Sequence, residues 1–469
     1  MGRHYFDAGT TDFTQKLSEY AVGIRYDDLP DEVIERVRLM ALHTLGVSLA
    51  AADIPLSKRA VKTASRINGG SGGKATAWLG GEKLSAPSAA FVNGTLADIL
   101  DWEDCSWAGH PSAGVIPAAL ALAEELDSNG RQLIEALVAG YEVYLRVAMS
   151  VQPPRDYNHN KGWGLSSWQI FASAAAAAKL LGLDAYKTNQ AYGLAALYTS
   201  IPSNLTQATM SDAYHYEQGQ NAFSGILAAY NAESGIENLT DGLDIPYAFA
   251  EHLTSTPERN WLVKDLDAYL LLTILIKHWP ANMWVQTPVE IVASLAREHT
   301  IDPTNIAEIV IDPPTQFRMH FYPEGFSSLM ESHFSTPFVV ASVLLDPTPG
   351  SNWYSPENLK DPTVLELAAK VKPGPSPEHT LRGSFALYED GAFPVKTVTI
   401  TLKDGTVYTR TQATHKGHPD DMLNRDEFTA LFRLNASKVF DAEHTEKLIA
   451  YFLNMEHRTG AELGALLRP

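Results

Sequence analysis

Titratable side chains gather in three short stretches of this 469-residue chain. Asp101, Glu103 and Asp104 precede His110 within DWEDCSWAGHPS, Tyr214, His215 and Glu217 share a second stretch, and Lys277 with His278 makes a third. Imidazole, carboxylate and phenol groups held together move protons, and an ammonium pairs a carboxylate. Asp101 and His110 are the candidates for acid–base work. Their other reading is as helix-end residues, Asp101 closing one helix and His110 opening the next before Pro111. Tyr214, His215 and Glu217 read either as a further acid–base group or as a solvated loop. Lys277 with His278 either binds a carboxylate or marks a surface domain boundary. Cys105 reads as a small buried residue, and Glu331 and His333 as caps before a helix.

Other chemistries lack their residues. The single cysteine excludes the HxE with PCxxC pattern of zinc deaminases. HExxH is absent, and His110 stands at the first glycine position of a GxSxG elbow around Ser112. No GxGxxG follows a strand. The Gly-rich stretch 68–88 has Asn68 and Ala75 where a phosphate loop around Lys74 needs Gly and Ser or Thr. No metal and no cofactor are expected.

The elements that must carry these groups are mostly helical from about residue 11 to 272. Pro30, Asp31 and Glu32 open one helix, and Val33, Val37, Met40, Thr44 and Val47 run down one face. Stretches 115–126 and 133–148 repeat the pattern, and 168–184 is apolar nearly all round, as a buried helix is. After about residue 272 the texture changes. Stretches 306–314 and 396–411 alternate like strands, the second around the turn pair Asp404-Gly405, with helical segments at 288–298, 333–345 and 360–371. The end returns to helix at 441–455 and 460–467. The expected fold is mainly α with a smaller α+β part. Residues 1–272 and 413–469 form a helical domain from both chain ends, and 273–412 an inserted α+β lid domain.

Hydrophobic residues make up 45% of the chain and charged residues 19%, the balance of a globular protein with a sizeable core. The net charge of -19 has the wrong sign for nucleic acid or an anionic membrane. One cysteine permits no internal disulfide and fits a reducing compartment. The N-terminal residues carry no apolar signal region, and no stretch is long and apolar enough to span a bilayer. The expected location is the cytoplasm.

Six segments in order resemble the MmgE/PrpD family. They are 89–125, 162–184, 219–235, 277–295, 332–346 and 397–427. The first is similar to the family's N-G-x-x-A-x-x-x-D-[FYW]-[DE]-D-T run followed by G-H-P-S. The resemblance implies a helical domain with an α+β lid, a homodimer, and metal-free lyase or isomerase chemistry on di- and tricarboxylic acids. It places Asp101, Glu103 and Asp104 in the acidic run, Cys105 at its Thr, and His110 at the His of G-H-P. Gly164 stands where G-W-H-P has His, beside Trp163. Tyr214 falls at the Lys and Glu217 at the His of K-P-x-H-x-G, with His215 one residue from the expected position. Pro280-Ala281-Asn282 replaces P-A-H with Lys277 nearby, and Phe338 takes the Tyr of S-F-Q-Y.

These departures remove cationic and acid–base groups. A citrate-like acid carries about three charges at neutral pH, and burying them without partners costs several kcal/mol. Six of the nine Trp residues, Trp102, Trp107, Trp163, Trp168, Trp279 and Trp284, fall in the resembling segments, which suits a less charged or alkyl-bearing substrate. The expected function is a lyase, dehydratase or decarboxylase, moving a proton next to a carboxylate on an acid other than methylcitrate or cis-aconitate. Asp101, His110, Tyr214 and His215 are the catalytic candidates. Trp102, Cys105, Trp163, Gly164, Glu217, Lys277, Trp279 and Asn282 are the substrate-binding candidates. The alternatives are an isomerase or epimerase using the same proton abstraction, and a non-catalytic binding protein on the same fold.

Overall fold

A computed structural model describes residues 11–70, 72–106, 109–151, 167–199, 206, 209–237, 240–245, 249–380, 383–384, 387 and 392–468. Helices dominate its first half: α1 (Phe13–Gly23), α2 (Asp31–Ala50), α3 (Pro55–Asn68), α4 (Ala86–Asp98), α5 (Pro111–Leu126), α6 (Gly130–Val151), α7 (Gln169–Leu180), α8 (Ala185–Tyr198) and α9 (Tyr214–Glu233). The Gly-rich stretch after α3 holds a pair of two-residue strands, β1 (Ala75–Thr76) and β2 (Lys83–Leu84).

Small residues set how closely these helices cross. A Cβ on Gly94 of α4 would lie 3.1 Å from the Gly219 Cα of α9, and one on Gly219 would lie 2.2 Å from the Phe91 carbonyl oxygen. A Cβ on Gly225 would meet Ser173 of α7 at 2.0 Å. Side chains larger than hydrogen would push these helices apart, and the core here is packed backbone to backbone. The α4–α9 crossing therefore holds the end of α4 against the first turn of α9.

The later part mixes strands and helices. A four-stranded sheet has the order β6 (Val371–Pro373), β5 (Ile306–Asp312), β7 (Lys396–Leu402), β8 (Val407–Gln412), with β5–β6 parallel and the other pairs antiparallel. The β7–β8 hairpin turns at Asp404-Gly405, where Gly405 has φ 89° and Asp404 Oδ1 accepts the Thr406 N–H at 2.9 Å. Val398 and Ile400 of β7 turn inward, as alternation requires. After the short α10 (Phe249–Leu253), helix α11 (Gln286–His299) lies beside this sheet, with Glu298 accepting from Arg410 of β8 at 3.0 Å. The short α12 (Leu329–His333), α13 (Thr336–Leu345) and α14 (Pro362–Ala368) follow.

The chain's end returns to the first helices. Phe432 of α15 (Arg425–Ala436) approaches Gly46 of α2 so closely that a Cβ there would lie 3.0 Å from its ring. The Leu453 carbonyl accepts from Arg38 at 3.3 Å, and the Gly460 N–H reaches the Ser128 carbonyl at 2.9 Å. The fold is mainly α with a smaller α+β part. Among the described residues no single helix is long and apolar enough to cross a membrane.

Candidate active site

Backbone geometry at the end of α4 brings three carboxylates together. The Asp101 N–H closes a turn onto the Asp98 carbonyl at 2.9 Å, and Asp101 itself takes a left-handed φ of 48°. Aspartate tolerates that region better than most residues. Residues Asp104 and Cys105 then pair as strand β3 with Leu275 and Ile276 of β4, and the Lys277 N–H reaches the Glu103 carbonyl at 3.2 Å. Gly417 locks this pairing by accepting the Ile276 N–H at 2.8 Å, and its φ of 94° requires glycine. Lys277 is thereby delivered beside the acids from 176 positions away.

His110 enters from the start of α5. Asp104 accepts the Ser112 N–H at 2.9 Å and the Tyr141 hydroxyl at 2.8 Å, tying the first turn of α5 to α6. Gln169 Nε2 donates to the carbonyls of His110 and, at 3.2 Å, Pro111. With its backbone so held, His110 presents Nδ1 to the Glu103 carboxylate and Nε2 to the Tyr214 hydroxyl at 2.9 Å. The Asp98 and Asp101 carboxylates lie 3.6 and 3.7 Å from Nδ1. Lys277 Nζ contacts Asp101, donates to Glu103 at 2.8 Å, and lies 3.2 Å from His110 Nδ1. His215, next to Tyr214, gives Nδ1 to Asp98 at 2.8 Å.

Every one of these side chains is buried, His110 being the most accessible at 3%. Charges then act strongly on each other. Burial and Lys277 push the His110 imidazole down, but Glu103 and Asp98 outweigh them and hold it above its ordinary value. Burial opposes the charge on Glu103, yet Lys277 and His110 draw it down to about 2. Burial lifts the Asp101 carboxyl against the pull of Lys277. Burial also works against the Lys277 ammonium, which Asp101 and Glu103 keep firmly protonated. His215 is lowered by burial but raised overall by Asp98. Burial, then Asp98, sends the Tyr214 phenol well above its usual range.

Asp98, Glu103 and His110 place ligand-type atoms within 4.8 Å of one another, a spacing compatible with a metal ion. Lys277 already brings a positive charge onto the same Glu103 oxygen and beside the same His110 nitrogen. The donor set is thus built around an ammonium, and a divalent ion there would face it at contact distance.

Six buried polar atoms around this cluster have no hydrogen-bond partner among the described residues: Asp98 Oδ1, Asp101 Oδ2, Glu103 Oε2, His215 Nε2 and both ring nitrogens of His333. An unsatisfied buried group costs about 1–3 kcal/mol. Their concentration in one place marks a site that expects a polar occupant.

Of the residues singled out in the sequence, Asp101, His110, Tyr214, His215 and Lys277 lie in this cluster. Cys105 lies alongside, its buried thiol raised and directed to the Ser106 carbonyl at 3.0 Å. Asn282 sits apart: its Oδ1 caps Trp284 N–H at 3.4 Å and accepts from Arg318 at 2.9 Å, while its own N–H bonds the His333 carbonyl. The Trp102 indole donates to the His278 carbonyl at 3.0 Å and that of Trp279 to Glu290 at 2.8 Å. Glu217 is half-buried and accepts from Thr206 at 2.7 Å. Trp107, Trp163 and Gly164 lie outside the described residues. Tyr214 is in the first turn of a helix, not a solvated loop, and Lys277 is fully buried, not at a surface. Sequence reasoning missed Asp98, hidden as the last residue of an apolar helix, and gave His333 a capping role that the structure gives to Glu331.

The chain is thus a mainly helical protein with a smaller α+β part and a buried carboxylate–imidazole–phenol cluster, groups able to move protons. Residues 15–262 match the MmgE/PrpD N-terminal domain and residues 279–457 the MmgE/PrpD C-terminal domain, and the chain belongs to the MmgE/PrpD family. It is similar to the cis-aconitate decarboxylase of Mus musculus, 28% identical over 470 residues that cover 94% of this chain and 90% of that protein. The cis-aconitate decarboxylase of Homo sapiens is 28% identical over 464 residues, covering 94% and 92%. That of Aspergillus terreus is 24% identical over 479 residues, covering 95% and 94%.

Proposed function

We propose that the chain is a lyase that removes water or carbon dioxide from an organic acid by proton transfer at the carbon next to a carboxylate. The observation that supports it is His110, fixed at Nδ1 by Glu103 and at Nε2 by the Tyr214 hydroxyl 2.9 Å away. In the dehydration direction the imidazole takes the proton from carbon, and the C–H electron pair moves into the carboxylate as an enolate-like charge. That pair then returns to form the carbon–carbon double bond as hydroxide leaves, protonated to water by Tyr214. In decarboxylation the carbon–carbon bond breaks to carbon dioxide, and protonated His110 delivers its proton to the resulting carbanion. Decarboxylation needs a group that holds a proton near neutrality, which the raised imidazole supplies, and dehydration uses the unprotonated form of the same ring.

The charge balance favours substrates with few carboxylates. Three acids of the cluster face Lys277 and two imidazoles. Each substrate carboxylate adds a negative charge to cations that already have partners, so the three of methylcitrate or cis-aconitate fit poorly. A second reading is epimerisation, and the arrangement that favours it is the presence of two carboxylate-held imidazoles, His110 on Glu103 and His215 on Asp98. One would remove a proton and the other return it to the opposite face. In both readings residues 273–412 act as a lid on a body made of 1–272 and 413–469, the working unit is a cytoplasmic homodimer, and no cofactor takes part.

The test is incubation of the protein in deuterium oxide with citraconate, mesaconate, 2-methylmalate, malate and cis-aconitate in turn, followed by proton NMR. Loss or gain of an alkene, or loss of a carboxyl group, with deuterium at the adjacent carbon supports a lyase. Deuterium uptake with no other change supports the epimerase. Unchanged spectra for every acid would overturn both.

A further inference from the structure

His333 closes helix α12, and the reaction above does not use it. The capping its position suggests belongs to its neighbour: Ser328 Oγ accepts the Glu331 N–H at 3.1 Å, and Glu331 accepts the Ser328 N–H at 3.2 Å. The His333 ring is fully buried, and neither of its nitrogens has a hydrogen-bond partner among the described residues. On one side the Tyr354 ring stands edge-on with centroids 4.0 Å apart. On the other, the His215 ring of α9 lies 5.9 Å away, and its Nε2 is likewise unpartnered.

Two imidazoles with unpartnered nitrogens are brought to one place by different parts of the chain. An oxygen bonded to two nitrogens at about 2.8 Å each spans up to about 5.6 Å between them. The two rings meet edge-on at 69° with centroids 5.9 Å apart, close enough for one oxygen to reach a nitrogen of each. Burial, with His215 and Lys277 nearby, keeps His333 uncharged, so it offers one N–H donor and one acceptor without adding charge. Tyr354 also lines a cleft of about 410 Å³ whose charged lining residues are Arg59, Lys360 and Asp212.

We propose that His333 is a substrate-contacting residue, its imidazole donating to a carboxylate or enolate oxygen that His215 also holds. This rests on the carbon-acid reading above and adds the group that stabilises the charge formed when the proton leaves. A neutral donor suits this work because it strengthens its bond as charge develops and does not neutralise the acid before reaction.

The test compares His333→Leu and His333→Gln with the wild type in three measurements. These are the melting temperature without ligand, calorimetric titration with succinate, which has no group to lose by this route, and steady-state turnover of the acid converted in the deuterium screen. Leucine removes both orphan nitrogens, so its melting temperature is expected to equal or exceed that of the wild type. Its succinate Kd is expected to rise about tenfold, the loss of one good hydrogen bond, and its kcat to fall about 10²-fold. Glutamine keeps an N–H and is expected to recover part of both losses. Wild-type affinity and kcat in the leucine variant would overturn the assignment. So would equal losses in both variants accompanied by a lowered melting temperature, the result of a packing role alone. A wild type that neither binds succinate nor converts any acid would remove the carbon-acid reading itself, and this contact with it.

Discussion

The Tyr214 hydroxyl and His110 Nε2 lie 2.9 Å apart although 104 positions separate the two residues. The contact exists because α9 crosses α4 at glycines, which lets its first turn reach the start of α5. Replacing Tyr214 by Phe keeps the ring that packs against Phe334 and His215 and removes only the hydroxyl. The expected result is a fall in kcat of about 10²-fold or more, with about 1–3 kcal/mol lost in stability because His110 Nε2 is left unpaired. Steady-state kinetics and urea unfolding of the variant check both numbers.

Lys277 is the only ammonium within hydrogen-bond reach of the described cluster, and Asp101 and Glu103 both depend on it. Lys277→Met fills the same space without charge. Breaking a buried pair in this way costs about 3–5 kcal/mol, because the stranded carboxylates stay buried. Their folded pKa values then rise above the unfolded ones. Stability is therefore lost as pH climbs past the ordinary carboxylate range and partly regained when acid protonates them. Urea midpoints at pH 7 and pH 5 are expected to show a deficit that shrinks at the lower pH, and a methionine variant as stable as wild type at pH 7 would refute this.

Glu103 raises the His110 imidazole through a direct contact. In Glu103→Gln that support is gone while burial and Lys277 still press downward. The pH midpoint of kcat/KM governed by His110 is expected to move to lower pH, and a midpoint that stays put or moves up would separate the two residues functionally.

Much of this architecture is legible in the residues. The helical periodicity at 115–126 and 133–148 becomes α5 over 111–126 and α6 over 130–151, extended at their N-terminal ends by Pro111 and Gly130. Asp404-Gly405 marks the hairpin of β7 and β8 because only glycine takes that φ cheaply. The site is less legible. Asp101, His110, Tyr214, His215 and Lys277 draw attention as titratable groups in resembling segments. That they share hydrogen bonds depends on the Gly94–Gly219 crossing and the β3–β4 pairing, and side-chain periodicity carries no information about either. Asp98 looks like a helix end and His333 like a cap because local sequence sees only their own turns. Their common feature, a buried polar atom without a partner, appears only in three dimensions.

Two histidines outside the site weaken the fold in acid. Burial holds His43 down to about 4 and His415 down to about 3. The unfolded chain takes up their protons near pH 6.5 and the folded chain does not, so stability falls as pH drops through the window from about 6.5 to 4. His43 alone contributes up to about 3 kcal/mol of that loss. His110 and His215, both raised, act with the opposite sign: their contribution is present below about pH 6.5 and is lost as pH rises through their folded values. Melting temperature is expected to drop from pH 7 to pH 4.5, and His43→Gln, which retains a donor toward the Trp102 carbonyl, is expected to reduce that drop.

The decisive comparison is the rate at which solvent deuterium enters the carbon next to the carboxylate, measured by NMR for the wild type and for His110→Asn with the same converted acid. Asparagine keeps a polar group toward Glu103 but cannot carry the proton. A fall of roughly 10²–10⁴-fold in a variant that keeps its melting temperature is the expected result. Deuterium incorporation within a few-fold of the wild type would contradict the assignment of proton transfer to this buried cluster.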